Sequence, residues 1–250
     1  SYPISSYDIP TTNTDNTTDN DDNGIQSGGA ATMVMSPVFT LSPGSEPLNA
    51  VETAQGNTQD DAKDAYGDMT KDFGFIPGVS IGSTVFYDND NDGLFEPADG
   101  ENGISGVELT LYSTGPNGMK GDGDDVFIRT ETTDASGNYL FGDLQEGEYY
   151  ILFGNSEFIA GATLEGYASS TPTDTNDNQQ ENDDNGISMG LIGTTYSVMS
   201  PEITLTASAE PTAATTETGY GSNQDDLLDA NGDMTVDFGF VPLLSIGSTV

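Results

Sequence analysis

The sequence predicts an all-β protein made of tandem Ig-like β-sandwich modules with minimal helix. Apolar and polar residues alternate with a period of two where Val107, Leu109 and Leu111 are interleaved with Glu108 and Thr110. Gly occurs 31 times and Pro 12 times, so every candidate helix is interrupted. Several motifs also occur twice at nearly constant spacing, which indicates repeated modules.

Two further segments fit strands of a sandwich. Residues 149–153 form a dense aromatic and β-branched run, which is typical of a strand buried on both faces. Near the C-terminus, Val236, Phe238 and Phe240 alternate with the polar Asp237 and with glycine. Turns rich in Gly, Asn and Asp separate such runs, and charged residues protect the sheet edges, as expected for a sandwich.

The repeated motifs divide the chain into modules. Four motifs recur: SIGSTV at 80–85 and 245–250, GDMT-x-DFGF-x-P at 67–77 and 232–242, NDDNGI at 20–25 and 182–187, and VMSP at 34–37 and 198–201. The first two give a period of 165 residues. We therefore expect residues 1–79 to be the C-terminal part of one repeat, residues 80–244 one complete repeat, and residues 245–250 the start of the next.

The charge balance excludes several classes of partner. The chain has 42 Asp and Glu residues against 4 Lys and Arg residues, which gives a formal net charge of -38. A nucleic acid or an anionic membrane would be repelled by this surplus, so neither is expected to bind. A high net charge also favours disorder. However, 34% of the residues are hydrophobic and 9% are aromatic, and they gather in short runs that can build a core.

The composition removes most catalytic reagents as well. Cys, His and Trp are absent, which excludes disulfides, zinc sites with thiolate or imidazole ligands, and triads with a His base. Asp124 and Asp125 could suggest the paired carboxylates of a glycosidase, but nothing indicates a cleft, so we expect no enzyme. Because no apolar run reaches the ~20 residues that span a bilayer and no leader opens the chain, we expect a soluble interior fragment without membrane insertion.

The stretch YDNDNDGLFEPADGENGI, residues 87–104, has the ligand spacing of a twelve-residue calcium loop. With Asp88 at position one, the oxygen donors at positions three, five, seven, nine and twelve are Asp90, Asp92, the Leu94 carbonyl, Glu96 and Asp99. Gly93 at position six permits the sharp turn, and Glu101 is an alternative closing ligand. The loop would follow a strand instead of a helix. The other interpretation is a solvated acidic hairpin.

Two further acidic clusters occur in both repeats. The second cluster comprises Asp15, Asp21 and Asp22, matched by Asp177, Asp183 and Asp184. The third comprises Asp60, Asp61, Asp64 and Asp68, matched by Asp225, Asp226, Asp229 and Asp233. Carboxylate and amide oxygens without nitrogen or sulfur ligands favour Ca²⁺ over transition metals. Both clusters are therefore candidate Ca²⁺ sites, with polar turns as the alternative.

Together these motifs resemble a known family. The segments IGSTVFYDNDNDGLFEPADGENGISGVELTLY, TTDASGNYLFGDLQEGEYYILF and MTVDFGF are similar to the SdrD B-like repeat, a calcium-binding sandwich module of the Cna-B type from bacterial surface adhesins. The resemblance covers most of residues 80–244, and residues 1–79 resemble the second half of the module. It implies a secreted protein at the cell surface or in the extracellular matrix, built of tandem repeats rigidified by Ca²⁺.

Related Cna-type sandwiches can carry a crosslink between a Lys and an Asn or Asp side chain. The repeats argue against one here, because Lys71 corresponds to Val236 and Lys63 corresponds to Leu228. A crosslink that every repeat required would be present in both copies. A metal ion is therefore the preferred staple.

The expected function is a non-enzymatic, calcium-rigidified stalk, fibre or filament. The junction between repeats is short and apolar around Pro77 and Pro242, which predicts a fixed angle between neighbouring repeats or between copies joined end to end. The alternative is an adhesin module that binds a host protein or a glycan through exposed loops. Its candidate contacts are the tyrosines at four positions, Tyr2, Tyr7, Tyr66 and Tyr167.

Overall fold

A computed structural model of the chain describes residues 4–5, 22–26, 32–48, 64–171, 182–212, 217 and 229–244. The chain divides into two compact units, Ser1–Gly78 and Val79–Val250. The division lies one residue before the module boundary that the repeated motifs predict.

The described part of the first unit contains four strands of two residues each. They are β1 (Ile4–Ser5), β2 (Ile25–Gln26), β3 (Val34–Met35) and β4 (Phe75–Ile76). β1 pairs antiparallel with β4, and β2 pairs antiparallel with β3, so they form two separate ladders. A short 3-10 turn at Asp64–Tyr66 lies between β3 and β4.

The second unit continues with longer strands. They are β5 (Val79–Tyr87), β6 (Glu108–Ser113), β7 (Val126–Thr132), β8 (Asn138–Leu144), β9 (Gly147–Phe153), β10 (Tyr167–Ser169), β11 (Ile187–Met189), β12 (Ser197–Met199), β13 (Ile203–Leu205), β14 (Gly232–Asp233) and β15 (Phe238–Pro242). Helical structure in the described residues is limited to 3-10 turns of three residues, at Pro97–Asp99, Asn155–Glu157 and Asp229–Asn231 in this unit. The prediction of an all-β protein with minimal helix is confirmed.

Two sheets make up the sandwich. One has the order β10-β15-β5-β14, with β8 also paired to β5. The other has the order β11-β12-β9-β6-β7, with β13 also paired to β9. β14 and β15 run parallel to β5, whereas the other ladders are antiparallel. β5 and β9 are therefore the strands through which the N-terminal and C-terminal parts of the module are joined.

The core lies between these sheets. Leu109 and Leu111 of β6 are fully buried while Glu108 is exposed, as the alternation in the sequence predicts. Phe153 of β9 packs edge-on against Phe238 of the opposite sheet, with ring centroids 4.6 Å apart. This is a favoured geometry for aromatic pairs, and it packs β15 against β9.

Within the described residues, no helix is both long and apolar enough to cross a membrane.

A candidate metal centre

The acidic loop begins directly after β5, which pairs with β14 and β15 of the C-terminal part of the module. Asp88 is buried, and its backbone N–H donates to the Phe240 carbonyl at 3.1 Å. Its side chain accepts the N–H of Asn91 on Oδ1 at 2.6 Å and the N–H of Gly93 on Oδ2 at 2.9 Å. Gly93 has a φ of 83°, in the left-handed region that glycine adopts without strain. Asp88 therefore fixes the turn of the loop, because its carboxylate binds backbone N–H groups three and five residues later.

Glu101 closes the loop from its other end. This residue is also buried, and its Oε1 accepts the N–H of Asn89 at 2.7 Å while its Oε2 accepts the N–H of Glu96 at 2.8 Å. Asp92 Oδ1 accepts the N–H of Leu94 at 2.9 Å. These hydrogen bonds fix the backbone between the acidic side chains.

Five carboxylates of the loop form two overlapping groups. Ligand atoms of Asp88, Asp90 and Glu101 all lie within 4.8 Å of one another, and so do those of Asp90, Asp92 and Glu96. Asp90 belongs to both groups. Of the two closing residues considered from the sequence, Glu101 belongs to a group and Asp99 belongs to neither. Asp99 lies at the end of the 3-10 turn Pro97–Asp99 and is exposed.

The electrostatics of the loop favour a cation. The charge of Asp92 is the largest of the effects that raise the pKa of Glu96 above its ordinary value. Desolvation and the charges of three more carboxylates raise it further; these carboxylates are Asp99, Asp90 and Glu101. The ion pairs found among the described residues are Lys71–Asp68 and Arg129–Glu131, so neither neutralises the loop. All donors are oxygens, which fits the ligand preference of Ca²⁺.

The NDDNGI segment of the second repeat lies against this loop. Leu94 forms an isolated bridge with Asp183, Gly93 accepts the N–H of Asp184 at 2.8 Å, and Phe95 donates its N–H to Asn182 at 2.8 Å. Asp183 is fully buried there. The sequence suggested two separate acidic clusters, but the structure places part of the second cluster beside the first.

Asp184 holds neighbouring strands together. Its Oδ1 accepts the N–H of Gly186 at 2.8 Å and of Gly239 at 3.1 Å, and its Oδ2 accepts the hydroxyls of Ser170 and Ser169 at 2.8 and 3.3 Å. Burial raises the pKa of Asp184 to about 7, although these hydrogen bonds oppose the shift. The carboxylate is thus engaged with protein donors on both oxygens.

The first unit repeats this arrangement. Asp22 Oδ1 accepts the N–H of Gly24 at 2.8 Å and of Gly74 at 3.1 Å, and Oδ2 accepts the Ser5 hydroxyl at 3.1 Å. We call this arrangement of Asp22 or Asp184 the aspartate clasp. Because both clasps satisfy the carboxylate with protein donors, we leave Asp22 and Asp184 out of the proposed metal site.

Asp237 is a buried acidic residue that the sequence analysis did not select. Its Oδ1 accepts the Ser83 hydroxyl and the N–H of Thr84, and its Oδ2 accepts the N–H of Asn182 at 2.9 Å. Burial raises its pKa to about 7, against the opposing effect of these bonds. The alternation of β15 placed Asp237 on a polar face, and the structure shows that the NDDNGI segment covers this face. The repeated motif offered one signal that could have identified Asp237, because the matching residue of the first repeat, Asp72, is also an aspartate.

The third cluster forms local turns where its side chains are described. Asp68 Oδ1 accepts the N–H and hydroxyl of Thr70 at 3.0 and 2.6 Å, and Asp233 Oδ1 accepts those of Thr235 at 3.0 and 2.7 Å. Asp64 and Asp229 begin 3-10 turns, and only their backbone is described. The other candidate ligands lie outside the described residues: Asp15, Asp21, Asp60, Asp61, Asp177, Asp225 and Asp226.

Comparison with known families settles the family of the chain. The profile of the SdrD B-like domain matches residues 79–207, which is more than half of the chain. The chain belongs to the SdrD B-like domain family. The resemblance stated from the sequence is therefore confirmed, and the matched residues include both the acidic loop and the segment that docks on it.

Relatives of this SdrD B-like chain occur in staphylococci. It is 36% identical over 107 residues to a fibrinogen-binding protein of Staphylococcus epidermidis, over 42% of this chain and 9% of that protein. It is 34% identical over 160 residues to serine-aspartate repeat-containing protein F of the same species, over 58% of this chain and 8% of that protein. It is 34% identical over 155 residues to a bone sialoprotein-binding protein of Staphylococcus aureus, over 56% of this chain and 12% of that protein. The chain thus spans only about a tenth of the relatives it matches.

Proposed function

We propose that this SdrD B-like chain is a non-enzymatic structural repeat of a secreted bacterial surface protein, in which Ca²⁺ rigidifies a stalk, fibre or filament. One observation carries the proposal: five carboxylates gather in two groups that share Asp90, on a loop that is hydrogen-bonded to β15 and to the NDDNGI segment. Carboxylates at this spacing repel one another, and a bound cation would convert the repulsion into coordination.

The type and number of ligands favour calcium among hard cations. Ca²⁺ takes about six to eight oxygen ligands in a flexible geometry, whereas Mg²⁺ demands a near-ideal octahedron and usually keeps several waters. Five carboxylates in two overlapping groups offer many oxygens in an irregular arrangement, so they suit Ca²⁺. When bound, Ca²⁺ would supply neutralising charge to residues that already hold the loop backbone.

The contacts of the loop explain how binding would stiffen the module. Asp88 donates its N–H to Phe240 of β15, and Gly93 accepts the N–H of Asp184. Asp184 is in turn bonded to Gly239 of β15. A loop ordered by metal would therefore hold β5, the NDDNGI segment and β15 in one arrangement, since binding only the folded state stabilises that state.

Thermal unfolding with and without a chelator tests the proposal. At a Ca²⁺ concentration about 100 times the dissociation constant, one site adds about 2.7 kcal/mol to the free energy of unfolding. For a domain of this size, that shifts the melting temperature by roughly 5–10 °C. We expect calorimetry to show at least this rise in Ca²⁺. A melting temperature that is the same in Ca²⁺ and in chelator would rule the proposal out.

The names of two relatives refer to binding of fibrinogen and of bone sialoprotein. The aligned segments cover 9% and 12% of those proteins, so the names describe far more than this repeat. Of the tyrosines proposed as contacts, Tyr167 packs against Tyr87 with ring centroids 5.2 Å apart, and Tyr66 is exposed. Tyr2 and Tyr7 lie outside the described residues. We therefore favour the structural role over recognition of a host protein or a glycan.

A further inference from the structure

The first unit exposes apolar side chains at positions whose repeats are buried in the second unit. Phe75 is 53% exposed and Leu41 is 58% exposed, whereas their matches Phe240 and Leu205 are buried. The same contrast holds at three more matched pairs, Met35 with Met199, Phe39 with Ile203, and Phe73 with Phe238. Ile203, Leu205, Phe238 and Phe240 belong to the hydrophobic core between the two sheets of the second unit, so the exposed side chains at the matching positions are ones that a complete module buries.

The second unit shows what covers the matching face. β15 pairs with β5, with Phe238 opposite Val85 and Phe240 opposite Tyr87. β12 and β13 both pair with β9, and Ile203 of β13 lies opposite Tyr149 of β9. The cover therefore consists of strands from the N-terminal half of the module, β5 and β9.

The first unit already has the arrangement of the C-terminal half of a module. β1 and β4 pair with Ser5 opposite Phe75, as β10 and β15 pair with Ser169 opposite Phe240. β2 and β3 likewise repeat the register of β11 and β12, and the aspartate clasp is present in both units. These ladders and the clasp of the first unit thus match those of the second unit, although apolar side chains beside them are exposed.

Two segments of the first unit lack the strand structure of their matches. Residues 39–41 match β13, which pairs with β9, and residues 67–68 match β14, which pairs with β5. Neither segment is a strand in the first unit. Since a strand requires a hydrogen-bonded neighbour, their irregular backbone is explained by the same missing cover.

We propose that Phe39, Leu41, Phe73 and Phe75 form an acceptor face for a segment like residues 79–164, joined to the same polypeptide ahead of Ser1. A strand like β5 would run parallel to β4, and a strand like β9 would run antiparallel to β3. A second copy of this chain is a poorer occupant. Its own residues 79–164 are already covered, and two copies with a net charge of -38 each repel one another.

A lengthened polypeptide tests this proposal, with residues 79–164 placed directly before Ser1 of the full chain. We expect hydrogen exchange at the amides of Phe75 and Ile76 to slow by at least about a hundredfold relative to the 250-residue chain. Binding of the dye ANS, which reports exposed apolar surface, should fall by severalfold. Unchanged exchange at these amides would overturn the proposal, whatever the effect of Ca²⁺.

Two neighbouring residues provide a matched pair of variants. Phe39→Asp should abolish the added protection in the lengthened polypeptide, because the matching Ile203 is buried. Val38→Asp should leave it unchanged, because Val38 is 97% exposed and its match Glu202 is exposed too. Equal loss in both variants would contradict the proposed face. Sedimentation of the 250-residue chain provides a second check. A dimer that Phe39→Asp dissociates and Val38→Asp leaves intact would also contradict the proposal, because a second copy would then be the occupant.

Discussion

Asp90 is the side chain on which the proposed metal site depends most. It shares a group with Asp88 and Glu101 and another with Asp92 and Glu96, and it is itself exposed. Asp88 and Glu101 also bind the loop backbone, so replacing either would change both folding and coordination. Asp90 can therefore be replaced with less effect on the loop itself.

We expect Asp90→Asn to weaken Ca²⁺ binding by at least about tenfold, which corresponds to about 1.4 kcal/mol. Asp99→Asn removes the same charge from the same loop, but Asp99 belongs to neither group, so the effect should stay below about threefold. Titration calorimetry of both variants measures the difference. If the two variants lose affinity equally, general charge and not the predicted groups attracts the cation.

The proton competes with the cation at Glu96. Because the charge of Asp92 and its acidic neighbours raises the pKa of Glu96, this carboxyl takes up a proton at a higher pH than an isolated glutamate. Ca²⁺ binding should then release protons, and the affinity should fall as the pH is lowered through the range in which Glu96 takes up its proton. Titrations in buffers of different ionisation enthalpy would detect the released protons, and a pH-independent affinity over this range would contradict the involvement of Glu96.

At the scale of elements, the end of the acidic loop is packed against the turn before β8. Gly103 bridges to Phe86, and a Cβ added at Gly103 would lie 1.7 Å from the backbone oxygen of Ser136. Gly103→Ala must therefore displace backbone, and we expect it to lower the free energy of unfolding by roughly 3 kcal/mol. Gly142→Ala is the control, because nothing lies within 4 Å of the added Cβ. Similar melting temperatures for the two variants would show that the turn moves freely.

Two buried carboxylates should make the metal-free protein sensitive to pH. Burial raises the pKa of Asp184 and of Asp237 from the ordinary value of an aspartate to about 7, so the folded state binds these protons more tightly than the unfolded state. Their contribution to stability is complete below about pH 4 and is lost as the pH rises through 7. Without Ca²⁺, the melting temperature should therefore fall by several degrees between pH 5 and pH 8.

Asp184→Asn isolates this effect. The amide keeps an oxygen for the N–H groups of Gly186 and Gly239 and offers its N–H₂ to the serine hydroxyls, but it does not titrate in this range. The variant should show a shallower fall of melting temperature with pH. An unchanged slope would mean that the clasp carboxylate is already ionised throughout the range.

The sequence was sufficient for elements whose pattern is local. The alternation of Val107, Leu109 and Leu111 identified β6 and its buried face, and the spacing of Asp88, Asp90 and Asp92 identified the acidic loop. These features depend on periods of two residues along a strand or a loop, which the sequence displays directly.

Features that depend on tertiary contacts were not visible in the sequence. Asp99, in the 3-10 turn Pro97–Asp99, belongs to neither group, whereas Glu101, two residues later, belongs to one. The bridge between Leu94 and Asp183 joins residues far apart in the chain, and the same segment buries Asp237. No local period encodes either contact, so burial could not be predicted for these acidic residues.

At the scale of the whole molecule, the net charge of -38 opposes a compact array. Neighbouring repeats carry charge of the same sign, and self-repulsion of this kind destabilises compact states. Ca²⁺ at the acidic loops would reduce the repulsion and order the loops at once. In the proposed account, calcium therefore acts on the stiffness of the array as well as on the stability of each repeat.

Small-angle X-ray scattering of a two-repeat polypeptide, recorded in saturating Ca²⁺ and again in chelator, tests this account most directly. We expect a rod-like profile with a narrow distribution of maximum dimensions in Ca²⁺, and a broad distribution typical of flexibly joined bodies in chelator. The Asp90→Asn variant in Ca²⁺ should shift towards the profile seen in chelator, whereas Asp99→Asn should not. Flexibly joined bodies in saturating Ca²⁺ would contradict a calcium-rigidified stalk.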